Sequence, residues 1–150
     1  MTARKSRFLR DGEWLNDDLI GAGMAMIQTR HDRLALLRQN LGAPVQRSSR
    51  FYNSQFMCCL LQQQSSSPGE YSFLGVQRWT RRFDIFDLDR IYLPLNVGNQ
   101  HWTMIVVHVQ RRRIEYFNSL CARGRSYMKH VLHWLKDETT DKQKRPCHYQ

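Results

Sequence analysis

The stretch IYLPLNVGNQHWTMIVVHVQRRRIEYFNSL, residues 91–120, contains three runs with the composition of β-strands. The runs 91–95, 101–109 and 114–120 are rich in β-branched and aromatic residues, which favour strands. A short polar loop separates the first two runs, and the basic turn 111–113 separates the second from the third. Runs connected this closely pair as antiparallel neighbours, so the stretch predicts the centre of an antiparallel sheet.

His101 and Asn118 are predicted neighbours in this sheet, because His101 begins the second strand and Asn118 lies at the end of the third. An amide oxygen beside an imidazole can accept its Nδ1–H, fix its tautomer and direct Nε2 toward a nucleophile. The pair therefore predicts two members of a Cys-His-Asn arrangement. The alternative is a polar strand histidine and an asparagine that only turns the chain.

Helices are predicted before and after this stretch. Asn16 or Asp17 caps a first helix, whose predicted buried residues are Leu19, Ile20, Met24 and Ile27. A separate second helix is predicted at about 31–39, a short one within 77–86, and a last one where residues 128, 131, 132 and 135 repeat with helical period. This order of helices, strands and a final helix predicts an α+β domain.

Five motifs occur in a fixed order from Trp14 to Leu120: WLND at 14–17, FYNSQF at 51–56, VQRWTR at 76–81, DRIYLPLN at 89–96 leading to HW at 101–102, and YFNSL at 116–120. In order and spacing the set resembles the SUMO-specific group of the ubiquitin-like-modifier cysteine proteases. The resemblance implies a papain-like cysteine-protease domain, with a central, mostly antiparallel sheet and helices packed around it. It also implies hydrolysis after the C-terminal Gly-Gly of SUMO or another ubiquitin-like modifier.

By the same resemblance, His101 is the catalytic base and Asn118 orients it. Trp14 and Trp102 would form two walls of a narrow tunnel for the Gly-Gly tail, although both could instead be ordinary core residues. Asp17 matches an acidic position that pairs with a basic residue of the modifier. The protease-type domain is expected to span residues 14–150, after a basic extension at 1–13, and to lack the C-terminal part that carries the nucleophile.

The expected catalytic residues depart from the family pattern in two ways. The family usually has aspartate where Asn118 stands, but cysteine peptidases tolerate asparagine because the thiolate compensates the imidazolium. The family nucleophile follows several tens of residues later within Asp-Cys-Gly, a sequence that does not occur here. Cys147 lacks the following glycine, and too few residues come after it for a helix that would lower its pKa. We therefore expect this chain to be inactive in its present form.

The charge of the chain favours an acidic partner. The 23 Lys and Arg residues exceed the 13 Asp and Glu residues by ten, and they cluster at 4–10, 78–90, 111–113 and 142–145. The resemblance implies that this partner is a ubiquitin-like modifier and its conjugates. Two other function classes stay open: a non-catalytic or truncated modifier-binding homologue, and a basic nucleic-acid-binding domain, which we consider the weaker because no nucleic-acid motif is recognised.

The remaining features concern compartment, cofactors and exposed surface. The four cysteines do not suggest a disulfide framework and no secretory leader is recognised, which predicts an intracellular location in the nucleus or cytoplasm. No run approaches the roughly 18 apolar residues of a membrane span. His130, His133, Cys147 and His148 match zinc-finger spacing poorly, so we predict no metal or cofactor. An exposed apolar patch is expected on the sheet face opposite the first helices.

Overall fold

The computed structural model describes residues 14–45, 47–63, 69–120 and 123–142. Its elements in chain order are α1 (Asp17–Asn40), β1 (Ser49–Phe51), α2 (Gln55–Leu60), two 3-10 turns (Gln77–Thr80 and Ile85–Asp87), β2 (Arg90–Val97), β3 (His101–His108), β4 (Arg113–Phe117) and α3 (Arg125–Asp141). The predicted α+β class is confirmed. The short helix predicted within 77–86 is replaced by the two 3-10 turns. No helix in the described ranges has the length and apolar character needed to cross a membrane.

The four strands form one sheet in the order β1-β2-β3-β4. Strands β2 and β3 pair antiparallel, as do β3 and β4, while the short β1 pairs parallel with β2. The predicted, mostly antiparallel sheet is therefore confirmed. Its register pairs Leu93 with Ile105 and Ile105 with Tyr116, so every second residue of each strand faces the same side.

The hydrophobic core lies on the face of the sheet that packs against α2 and α3. The strand residues on this face are almost completely buried, and they meet equally buried residues of the two helices: Ile91, Leu93, Leu95, Ile105 and Val107 from the sheet, with Phe56, Val131, Trp134 and Leu135. The alternating pattern of β2 and β3 produces this face, and the helical period of α3 completes it.

Helix α1 is a single helix of 24 residues, so the prediction of two separate helices is wrong. Its start agrees with the sequence, since the Oδ1 of Asn16 accepts a hydrogen bond from the Leu19 amide at 3.0 Å. Leu19 and Met24 are buried as predicted, but Ile27 is 47% exposed. Apolar periodicity weakens after Ile27 because polar side chains, rather than apolar ones, anchor the middle of the helix.

These anchors are Gln28 and His31, which contact the free edge of β1. The Gln28 amide donates to the Ser49 carbonyl at 3.1 Å and accepts from the Phe51 amide at 2.9 Å. The Nε2 of His31 accepts from the Ser49 amide at 2.9 Å. The two side chains thus replace the strand that β1 lacks on this edge, where exposed backbone groups would otherwise favour aggregation.

A buried carboxylate joins α3 to the first 3-10 turn. Glu138 is completely buried, and its Oε1 accepts from the Thr80 hydroxyl at 2.7 Å and from the Trp134 indole at 3.2 Å. Lys142 lies 3.5 Å from the other oxygen and also donates to the carbonyls of Thr80 and Phe83. This arrangement fixes the loop before β2 to the end of α3.

Candidate active site

The pairing of β3 with β4 brings His101 and Asn118 together at one end of the sheet. In this register Met104 pairs with Phe117, so Asn118 comes just beyond the last paired residue of β4, close to the start of β3. The Nε2 of His101 lies 2.8 Å from the Oδ1 of Asn118. The predicted proximity of the two side chains is therefore present, while their catalytic roles stay a prediction.

The side-chain amide of Asn118 has a defined orientation. The Leu120 backbone amide donates to Asn118 Oδ1 at 2.8 Å, and a backbone N–H can meet only an acceptor. The atom facing His101 is therefore the oxygen, and the imidazole must donate from Nε2. This places the ring proton on Nε2 in the neutral imidazole and leaves the lone pair, and hence the basic site, on Nδ1.

This geometry corrects one detail of the sequence-based expectation. The sequence predicts that Nδ1 of His101 contacts Asn118 and that Nε2 faces the nucleophile, whereas the structure has the two nitrogens exchanged. The ring is placed by the approach of β4 and by the turn at Leu120. The order of residues does not specify which nitrogen meets the amide.

We expect the neutral imidazole of His101 to be held in the Nε2–H tautomer. Two-bond proton–nitrogen NMR correlations distinguish this tautomer from the alternative. Asn118→Ala should shift His101 toward a tautomer mixture, because the fixed acceptor is gone, while Asn118→Asp should retain Nε2–H. His108, whose Nε2 is held by Glu115 at 2.7 Å, serves as the internal control. A proton on Nδ1 of His101 in the unaltered chain would contradict the assignment.

Trp102 follows His101 and connects the start of α1 to the sheet. Its indole N–H donates to the Leu15 carbonyl at 2.7 Å, so the segment that precedes α1 lies across the start of β3. Trp102 is half-buried, and Trp14 is 72% exposed. Trp14 is therefore not a core residue in this structure. The tunnel between the two rings stays a prediction.

Asp17 lies at the N-terminus of α1, where its carboxylate accepts a hydrogen bond from a buried residue of the protein. The Ser54 hydroxyl donates to its Oδ1 at 2.6 Å. Asp17 remains exposed, and its pairing with a modifier stays a prediction. Buried Ser54 is a site residue that was not predicted, although it lies in the FYNSQF motif that contributes to the resemblance.

An open apolar groove of about 740 Å³ runs between α1 and the sheet, beside Asn118 and Trp102. Met24 and Ile27 line it from the helix, and Met104 and Phe117 line it from the sheet. The exposed apolar surface therefore lies on the face of the sheet that carries α1. The prediction that it would lie on the face opposite the first helices is wrong. The opposite face is covered because α2 and α3 form the core there.

The described residues include two free cysteines, Cys58 and Cys59, on α2. Burial, together with the nearby negative charge of Asp17, raises the pKa of the Cys58 thiol. A raised pKa favours the unreactive thiol over the thiolate, which is the opposite of what a nucleophile requires. Cys147, the weakly matching nucleophile candidate, lies outside the described residues.

The histidines considered as zinc ligands have other contacts in the structure. The ring of Tyr71 stacks on His133 at a centroid distance of 4.1 Å and lies parallel to His130 at 6.2 Å. His148 and Cys147 lie outside the described residues. Over the described ranges, no three potential ligands come together as a metal site would require.

Comparison with known proteins gives a consistent result. Residues 13–150 match the sequence model of the Ulp1 protease family, C-terminal catalytic domain. The Arabidopsis thaliana Ubiquitin-like-specific protease 1A is 27% identical over 146 residues, which are 95% of this chain and 26% of that protein. The Homo sapiens Sentrin-specific protease 3 is 36% identical over 74 residues, 49% of this chain and 13% of that protein.

Solved structures share the fold. The C-terminal Ulp1 protease domain in complex with Smt3, the yeast ortholog of SUMO, superposes with a TM-score of 0.70 at 22% identity, covering 93% of this chain and 56% of that domain. A de-sumoylating protease superposes with a TM-score of 0.73 at 15% identity, covering 95% of this chain and 52% of that one. The chain thus spans about half of the solved domains and about a quarter of the first relative's length.

Proposed function

Because this chain belongs to the Ulp1 protease family, C-terminal catalytic domain, we propose that it contributes the base and its orienting residue to a cysteine peptidase site. The observation that supports this most is the contact of 2.8 Å between His101 Nε2 and Asn118 Oδ1, with the amide held by Leu120. A histidine held in one orientation by a third group is the base half of the arrangement that activates a thiol. The proposed domain extends from Trp14 to Gln150, after a basic extension at 1–13.

The proposed reaction is hydrolysis after the C-terminal Gly-Gly of a ubiquitin-like modifier. Nδ1 of His101 takes the proton of the nucleophilic thiol, and the thiolate attacks the carbonyl carbon of the terminal glycine. The imidazolium then donates that proton to the departing amine, and water hydrolyses the resulting thioester. Asn118 keeps the ring aligned throughout. The thiol of this reaction is a cysteine other than Cys58, because the raised pKa of Cys58 disfavours its thiolate.

SUMO or a related modifier, free or conjugated, is the proposed partner. The solved relative in complex with Smt3 supports this choice. In this proposal, Trp102 and Trp14 enclose the Gly-Gly tail, and Asp17 pairs with a basic residue of the modifier. A tail passing between two aromatic rings leaves no space for a side chain, which selects glycine.

A non-catalytic role in modifier binding is the second candidate. The lack of an Asp-Cys-Gly sequence in this chain favours it. The two candidates share the same binding residues and differ only in the chemistry that follows. We place the protein inside the cell, in the nucleus or cytoplasm, because Cys58 and Cys59 are free thiols. Nucleic acid is not a proposed partner.

Trp102→Ala should weaken binding of a SUMO-type modifier by about 2 kcal/mol, or roughly 30-fold in Kd, if the ring is a buried anchor in the complex. The hydrogen bond to Leu15 would also be lost, which releases the segment before α1. Isothermal titration with the free modifier measures the change. The control is Leu74→Ala, an exposed residue on a loop away from the groove.

Unchanged affinity of the Trp102→Ala variant would contradict the proposed tunnel. Binding to nucleic acid that weakens steeply with salt, with no binding to the modifier, would instead support the nucleic-acid-binding class.

A further inference from the structure

The segment that leads into α1 is attached to the rest of the protein at two points. The Trp102 indole donates to the Leu15 carbonyl at 2.7 Å, and the Ser54 hydroxyl donates to Asp17 Oδ1 at 2.6 Å. The first contact joins the segment to β3 and the second joins it to the start of α2. The first belongs to the predicted tunnel, whereas the second has no role in the function proposed above.

The hydroxyl of Ser54 is not used to cap the helix that carries it. Ser54 is the N-cap residue of α2, a position where the serine oxygen commonly accepts a hydrogen bond from an amide of the first turn. Ser54 makes no such bond, and its backbone is helical (φ −62°, ψ −24°) rather than extended, as is typical of a capping residue. Its hydroxyl donates to Asp17 instead. The side chain therefore serves the carboxylate and not its own helix.

Ser54 is anchored in the hydrophobic core. It is almost completely buried, and two of the next residues of α2, Phe56 and Met57, are fully buried. The Ser54 carbonyl also accepts from the Cys58 amide at 3.2 Å. The exposed carboxylate of Asp17 is thus oriented by a donor whose position is set by the core rather than by the surface.

The contact gives the two oxygens of the Asp17 carboxylate different surroundings. Oδ1 accepts from Ser54, and no other hydrogen bond to this carboxylate is present within the described ranges. The charge lies close to α2, because it is the next cause, after burial, of the raised pKa of the Cys58 thiol. The side chain of Asp17 is nevertheless exposed. The carboxylate therefore contacts α2 through one oxygen and stays accessible to a cation from the solvent.

Such an arrangement increases what an exposed charge contributes to binding. A side chain that rotates freely must be ordered when it meets a partner, and this ordering lowers the affinity. Exposed ion pairs are weak partly for this reason, since two side chains are fixed for one contact. A carboxylate that is already held in its bound orientation avoids its share of this loss.

We propose that Ser54 is a positioning residue that holds the Asp17 carboxylate in the orientation that binds a basic residue of the modifier. The inference rests on the proposed function, which assigns this pairing to Asp17, and it adds the residue that prepares Asp17 for it. Ser54 acts through Asp17 and makes no contact with the modifier itself.

The orientation of Asp17 can be measured in the whole chain without the modifier. Three-bond NMR couplings to its β-protons should show a single χ1 rotamer in the unaltered chain. Ser54→Ala should average these couplings over several rotamers, because the fixed donor is gone. Ser54→Thr keeps the hydroxyl and should restore the single rotamer. A single rotamer that persists in Ser54→Ala would overturn the proposal.

Isothermal titration with a SUMO-type modifier measures the consequence for binding. Ser54→Ala should weaken binding by roughly threefold to tenfold, the range expected when one side chain must be ordered on binding. Ser54→Thr should restore the affinity. In an Asp17→Ala background, Ser54→Ala should change the affinity by less than about twofold, because two residues that act through one contact are not additive. Circular dichroism verifies that each variant keeps its helices.

The double variant separates positioning from a general structural role. If Ser54→Ala weakens binding equally with and without Asp17, Ser54 acts on the fold as a whole and the proposal is wrong. A loss of affinity with Asp17→Ala but none with Ser54→Ala would overturn this inference alone. Unchanged affinity in Asp17→Ala would overturn the proposed role of Asp17 and, with it, the role of Ser54.

Discussion

The 150-residue chain should form no covalent adduct with a SUMO-type modifier that carries an electrophile at its C-terminus. The sequence contains no Asp-Cys-Gly, and burial beside Asp17 raises the pKa of the Cys58 thiol. His101 and Asn118 alone can move a proton but cannot attack a carbonyl. Removing the nucleophile of a serine peptidase lowers kcat by about 10⁶, and a comparable deficit is expected here. Gel shift and intact-mass measurement detect the adduct directly.

The C-terminal Ulp1 protease domain serves as the positive control for the probe. A labelled chain would show that the expected lack of a nucleophile is wrong, and peptide mapping would locate the reactive thiol. Labelling at Cys147 that requires His101 would identify Cys147 as the nucleophile. Labelling that survives His101→Ala would indicate a surface thiol reacting without the catalytic base.

Glu138→Ala should lower the free energy of unfolding by about 2–4 kcal/mol, because it opens a cavity and removes buried hydrogen bonds. The substitution leaves the Lys142 ammonium and the Thr80 hydroxyl beside a cavity in the core, without the carboxylate that they contact. It also removes the acceptor of the Trp134 indole. Urea denaturation followed by tryptophan fluorescence measures the loss, with an unchanged slope expected if unfolding stays two-state.

Two variants on α3 test whether the charge or the hydrogen bonds matter at this position. Glu138→Gln keeps an acceptor for Thr80 and Trp134 but loses the ion pair with Lys142, so a smaller loss of about 1–2 kcal/mol is expected. Asp141→Ala removes an exposed hydrogen bond from Gln77 and should change stability by less than about 0.5 kcal/mol. A loss for Glu138→Ala no larger than that of Asp141→Ala would contradict the structural role of the carboxylate.

The sheet and the candidate catalytic pair could be predicted because their signals are local. The strands β2, β3 and β4 alternate in the expected way, and their connections are too short to allow any arrangement but antiparallel neighbours. Once the strands pair, His101 and Asn118 must lie at the same end. The cap at Asn16 is likewise a local signal, since it depends on residues within one turn.

The length of α1 could not be predicted from apolar periodicity. Gln28 and His31 interrupt the apolar pattern, but they hold the helix to β1 through hydrogen bonds across 18 to 23 residues of chain. The spacing of hydrophobic residues indicates which side chains become buried. It does not indicate which polar side chains hydrogen-bond to a strand edge, because the sequence does not distinguish them from polar residues exposed to solvent.

Residue types and their spacing were therefore sufficient for β2, β3 and β4, their antiparallel order and the proximity of His101 to Asn118, because this pairing follows from short connections, whereas the parallel pairing of β1 with β2 joins distant segments. Which imidazole nitrogen meets Asn118, and which face of the sheet remains open, were settled by packing. The turn at Leu120 orients the amide, and α2 and α3 cover one face of the sheet while α1 leaves a groove on the other. Such choices depend on contacts between distant segments, whose free energies are not contained in any local pattern.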